Sequence, residues 1–138
     1  QGVHKRVKIK TVEDKSDMSK SSIGRNARRR GHTFENEIVD VFKKAGWEDA
    51  RRNLQSQGGS KVGPDLANVP VAIECKRTKK PMARKALNDA FDQCAWDEIA
   101  VNGIRPCIVV TRSDGGVPYV FTTLTDFMRV LTERETDG

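Results

Sequence analysis

A single α/β domain, with a mixed β-sheet and helices packed on its faces, is the architecture this 138-residue chain predicts. Three observations predict it. Apolar residues recur at helical spacing in three stretches, near 34–45, 83–94 and 124–131. Between them lie short segments that alternate with period two or run continuously apolar, the patterns of half-buried and buried strands. Glycine and proline mark the changeovers, and the length suits one domain with a modest core.

Residues 1–22 are polar and basic and read as a flexible arm, although Val7 and Ile9 alternate with lysines and allow a short strand. A domain over 23–134 follows, with a polar tail at 135–138. Its first helix starts near Ser21 or Ser22, or only after Gly31, and stops at Gly46. Phe34, Ile38, Val41, Phe42 and Ala45 form its apolar face. Glu35 borders that face, whereas Glu37 and Asp40 point elsewhere. Trp47 to Gln55 alternates weakly, as a strand would, and Gln57 to Gly63 is a glycine-rich loop. A hairpin of two strands occupies 65–76. Pro81 then opens a helix over 82–100 with Ala83, Leu87, Ala90, Phe91 and Cys94 on one face. Trp96 lies on the other side, where it can stack on a base, fill a dimer interface or cover a neighbouring element. Cys107 to Val110 reads as a buried strand, and Val117 to Phe121 as an edge strand because of Pro118. Thr123 and Asp126 resemble a capping box for a closing amphipathic helix carrying Leu124, Phe127, Met128 and Leu131.

The hairpin carries the chemistry. Val71, Ile73 and Cys75 alternate with Ala72, Glu74 and Lys76, so Glu74 and Lys76 share a face. Antiparallel pairing about a turn centred between Val69 and Pro70 sets Asp65 opposite Glu74, with Cβ atoms about 5 Å apart. Two carboxylates so placed repel, and a hard divalent cation between them removes that cost. Few oxygen ligands with positions left for water and phosphate describe a Mg²⁺ site. Lys76 is placed to orient or deprotonate the attacking water or to neutralise charge developing at phosphorus. The plainer alternative is an ordinary Glu–Lys pair on a solvated strand.

The distribution of charge points to a polyanionic partner. The net charge is +6, but residues 1–30 carry ten Lys/Arg against three Asp/Glu, and residues 51–85 carry nine against two. The remaining segments are acidic. An acidic pair inside a basic segment is what hydrolysis of a polyanion requires. No apolar run reaches the roughly 20 residues of a membrane span. Cys75, Cys94 and Cys107 read as reduced core thiols of an intracellular, cytoplasmic protein. His4 and His32 are far apart and neither lies near a cysteine, so zinc spacing is absent.

Pro64-Asp65 followed by Glu74-Cys75-Lys76 resembles the motif of the PD-(D/E)XK nuclease superfamily. Gly31 with Glu35, and the Gly58-Gly59-Ser60 loop, resemble the archaeal-type Holliday-junction resolvases within it. The resemblance covers about Gly31 to Thr111. It implies a restriction-endonuclease-like fold and a Mg²⁺-dependent DNA endonuclease in which Mn²⁺ substitutes. It implies metal ligands at Asp65 and Glu74, a ligand at the Cys75 carbonyl, and Glu35 bound directly or through water. It makes Glu35, Asp65, Glu74 and Lys76 the catalytic set. Glu35 has a plainer role as a first-turn acid at a helix N-terminus. Branched DNA is then the expected partner, with a homodimer because a junction needs two symmetric cuts. Arg28, Arg29, Arg30, Arg52, Ser60, Lys61, Arg77, Lys79 and Lys80 are the expected DNA contacts, although a charge run is often just a solvated face. Another nuclease of the superfamily and a non-catalytic basic nucleic-acid-binding protein are the alternatives.

Overall fold

A computed structural model describes residues 24–26, 28–29, 31–53 and 62–137, with side chains through 133. The arm at 1–22, Arg30, Ser60 and Lys61 lie outside the described residues. The backbone divides into two units, Gln1–His32 and Thr33–Gly138. In the first, residues 24–26, 28–29 and 31–32 are helical, and Arg28 and Arg29 are exposed.

The second unit is built on a mixed sheet. Helix α1 spans 33–44, and Gly46 follows it with φ +117°, the left-handed conformation in which glycine ends helices. Strand β1 (Arg51–Arg52) pairs antiparallel with β2 (Leu66–Ala67) as a two-stranded ribbon. Strand β3 (Ala72–Thr78) runs parallel to β4 (Cys107–Ser113), and β5 (Tyr119–Phe121) pairs antiparallel with β4. The order β3-β4-β5 leaves β5 at an edge, where Pro118 is tolerated. Helix α2 (Arg84–Ala100) makes the crossover between β3 and β4, and α3 (Leu124–Asp137) closes the chain. None of the helices among the described residues is long and apolar enough to cross a membrane.

Alternation on β3 and β4 sorts the core onto two faces. Ile73 and Val110 pack with Phe34, Ile38 and Val39 of α1, with Leu66 and Val69, and with Val130 of α3. Ala72 and Cys107 face the other way, against Cys94, Phe91 and Ala95 of α2. Arg112 of β4 fastens α1 to the sheet. Its guanidinium donates to both oxygens of Glu37 at 2.7 and 2.9 Å and lies 5.2 Å from the Phe34 ring centroid.

Several expectations are corrected here. Of the strand expected over Trp47–Gln55, the described residues 47–53 form one only at Arg51–Arg52. Trp47 instead turns back edge-to-face onto Phe42 at 5.6 Å. β2 pairs with β1 and makes no ladder with β3, so Asp65 does not stand opposite Glu74; its N–H donates to the Ile73 carbonyl at 2.8 Å. Asn68 at φ +65° and Pro70, which has no N–H, shape a connection unlike a two-residue hairpin. Pro81 precedes α2 by three residues, and Ala83 sits at the N-cap. Val41 is exposed, because α1 presents Phe34, Ile38 and Val39 to the core. Leu124, Phe127, Met128 and Leu131 of α3 are exposed too, and Val130 is the α3 residue that packs on the core cluster. Thr123 does cap α3, accepting the Asp126 N–H at 3.1 Å, but the Asp126 carboxylate turns to the Cys107 N–H at 3.0 Å and docks the helix on β4.

Candidate active site

Asp65 and Glu74 are both nearly buried, at 5% and 7% of their surface. The structure brings them to one strand by a route other than cross-strand pairing. Asp65 Oδ2 accepts the Cys75 N–H at 2.8 Å, while the Asp65 N–H donates to Ile73. Both bonds lie on the edge of β3 away from β4, so Asp65 substitutes for a neighbouring strand there. Within a strand a residue's N–H and C=O point to the same side. The Cys75 carbonyl therefore lies along the edge that the Asp65 carboxylate caps.

Glu74 and Lys76 share a face, as their spacing requires, and Lys76 Nζ lies 3.3 Å from Glu74 Oε2. Ala72, two residues earlier on this face, packs beneath α2. Lys76 is less enclosed, its side chain 42% exposed, so the ammonium stands at the solvent side of the pair.

Three supports hold the Asp65 segment. The Asn53 N–H donates to the Asp65 carbonyl at 2.8 Å, and Asn53 Nδ2 bridges the Val62 and Pro64 carbonyls at 2.7 and 2.9 Å. Gly63 passes so close that an added Cβ would lie 2.8 Å from Asn53 Nδ2, and its φ of +100° also demands glycine. Arg52, paired with Leu66 across the ribbon, donates its Nε–H to Glu35 Oε1 at 3.0 Å. Glu35 is thus joined through Arg52 to the strand beside Asp65.

The third support is a clamp that sequence reasoning missed. Arg105 donates to both oxygens of Glu98 at 2.7 and 2.8 Å, its N–H donates to Glu98 at 2.9 Å, and its Nη1 reaches the Val69 carbonyl at 3.0 Å. It ties the end of α2 to the connection between β2 and β3. Helix α2 ends in a double turn, with Gly103 N–H donating to Glu98 O and Asn102 N–H to Ile99 O. This turn brings Arg105 back onto Glu98. The Asn102-Gly103 pair was the available sequence signal, since both residues favour such a stop.

Glu98 is almost fully buried. Burial opposes its ionisation, but the hydrogen bonds from Arg105 outweigh burial and hold its carboxyl below the usual carboxylate range. Glu98→Ala should cost about 3 kcal/mol at neutral pH, because it leaves the Arg105 charge half-buried without its partner. A folded value depressed below the unfolded one stabilises fully above the unfolded value and fades as pH falls through the folded one. Urea unfolding at pH 7 and at pH 3 should therefore show the gap between wild type and variant narrowing at the lower pH.

The other expected residues are placed as follows. Arg77 Nη2 lies 3.3 Å from Asp114 Oδ1, and Lys79 and Lys80 are exposed in the turn after β3. Arg52 is half-buried against Glu35. Trp96 is 67% exposed.

No group of three or more His, Cys, Asp or Glu side chains that could hold a metal ion occurs among the described residues. A cation here would draw on Asp65, Glu74 and the Cys75 carbonyl, completed by solvent. Two nearly buried carboxylates are hard oxygen donors and suit Mg²⁺. No family model matches the chain, and no curated protein and no solved structure shows significant similarity to it.

Proposed function

We propose that the chain is a Mg²⁺-dependent DNA endonuclease of the PD-(D/E)XK type, with a restriction-endonuclease-like fold. The observation that carries this reading is the Asp65–Cys75 hydrogen bond, which joins the aspartate to the Glu74-Cys75-Lys76 strand. Asp65, Glu74 and the Cys75 carbonyl would hold Mg²⁺, or Mn²⁺ in its place. The ion would supply a lowered pKa for water and charge neutralisation at the phosphate. Lys76 orients the attacking water and offsets negative charge as the phosphodiester is hydrolysed. Glu35 and Arg52 hold the Asp65 strand in place, and Glu35 completes the acidic set directly or through water. Arg77 near the end of β3, with Lys79 and Lys80 directly after it, supplies phosphate contacts along the same strand end. Arg28, Arg29, Arg30, Ser60 and Lys61 add further contacts, and the protein works in the cytoplasm.

Within this class the substrate proposed is branched DNA, on the resemblance of Gly31–Glu35 and the Gly58–Ser60 loop to junction resolvases. Paired cuts need two sites, so a homodimer is part of the proposal. The exposed apolar residues Val117, Tyr119 and Val120 around edge strand β5, and Leu124, Phe127 and Leu131 of α3, are available for it. Light scattering should give about twice the 15.4 kDa chain mass. A four-way junction should be cut at two symmetry-related positions in preference to linear duplex, flap or single-stranded DNA. A monomer that nicks plain duplex as readily as junctions overturns the resolvase reading and leaves the nuclease reading standing.

A further inference from the structure

We infer that Cys94 and Cys107 are a redox pair, which a hydroperoxide converts to a disulfide linking α2 to β4 and a thiol reductant reopens. Both thiols belong to one buried three-residue cluster with Ala72, one from the middle of α2 and the other from the first residue of β4. The two thiols are hydrogen-bonded to each other. Cys94 Sγ also lies 3.8 Å from the Ile108 carbonyl oxygen, and Cys107 Sγ lies 3.8 Å from that of Arg105. The third thiol, Cys75, packs in the other cluster on the opposite face of β3. The pairing is therefore selective by position.

Cys107 is the reachable member. It lines a cavity of about 460 Å³ together with Ile99, Ile104, Arg105, Asp126 and Arg129. The bond with Cys94 holds the Cys107 thiol below the usual thiol range, against burial and the Asp126 carboxylate, and Arg129 assists. The same bond and burial push Cys94 up. Because Cys107 lines the cavity and Cys94 is fully buried, Cys107 is the attacking thiol and Cys94 the resolving one.

The steps balance. The Cys107 sulfur attacks one peroxide oxygen, an S–O bond forms as O–O breaks, and the thiol proton leaves with the departing alkoxide as alcohol or water. The Cys94 sulfur then attacks the Cys107 sulfur, S–S forms as S–O breaks, and the Cys94 proton leaves with hydroxide as water. The two sulfurs lose two electrons, and the hydroperoxide takes them. The link closes a short loop containing the Asn102-Gly103 turn and Arg105. It braces α2 against the face of β3 that carries Glu74.

The test uses the full chain without reductant, titrated with hydrogen peroxide, then alkylated under denaturing conditions and cleaved both with trypsin and after glutamate, which puts Cys75, Cys94 and Cys107 on separate fragments for mass mapping. The expected result is loss of two of the three thiols and a mass about 2 Da lower. A cross-link should join the fragments carrying Cys94 and Cys107, and the thermal midpoint should rise by several degrees. Dithiothreitol should reverse all of these. A cross-link through Cys75, or peroxide products confined to sulfinic and sulfonic acids, overturns the inference. So does the Cys94→Ser variant losing as many thiols as the wild type.

Discussion

Asp65→Asn should abolish Mg²⁺-dependent DNA cleavage, lowering the single-turnover rate by at least about 100-fold to 1000-fold. The substitution is nearly isosteric. The asparagine side-chain oxygen still accepts the Cys75 N–H, and the backbone bonds to Ile73 and Asn53 do not involve the side chain. The Asp65 segment therefore stays in place while one hard, charged oxygen ligand is lost. Affinity for DNA in the absence of metal should stay near wild type, and calorimetry should show weakened Mn²⁺ binding. Unchanged metal binding with unchanged cleavage would reduce Asp65 to a strand cap for β3.

Lys76→Ala should lower the single-turnover rate by about 100-fold with little change in metal affinity. The Lys76 side chain is 42% exposed, so truncation removes little packing, but it takes this partner from the nearly buried Glu74 carboxylate and should cost about 1–3 kcal/mol of folding stability. The rate is therefore compared at a temperature where both proteins are fully folded. Lys76→Arg keeps the charge but presents a planar fork in place of a compact ammonium, so it should restore only part of the rate. A near-wild-type rate for Lys76→Ala would make this lysine a surface cation.

The strand that carries Glu74 and Lys76 was legible because period-two alternation assigns faces, and their 3.3 Å pair bears that out. The mixed sheet with helices around it followed from the same periodicities. The register of Asp65 was not legible. It depends on Asn68 adopting φ +65° and on β2 being taken by β1, and both are tertiary outcomes of a short irregular connection. The Glu98–Arg105–Val69 clamp stayed hidden because it joins three segments through a helix stop, and no local period marks such a contact. The apolar stripe of α3 was legible as a stripe, but a pattern does not say whether a face meets its own core. Here Leu124, Phe127, Met128 and Leu131 remain exposed. Glu35 was placed at the border of the buried face of α1. Its link to Arg52 could not be read, since it needs the ribbon of β1 and β2 to bring residue 52 beside α1.

The most direct test of a metal-dependent hydrolytic centre at Asp65, Glu74 and Lys76 is cleavage of end-labelled DNA by the wild-type chain as Mg²⁺ is titrated. Linear duplex and a four-way junction are run in parallel, each with and without EDTA. Such a centre requires strand cleavage that rises with Mg²⁺, persists with Mn²⁺ and stops in EDTA. DNA that is bound but left intact at every Mg²⁺ concentration, or cut equally well in EDTA, contradicts it.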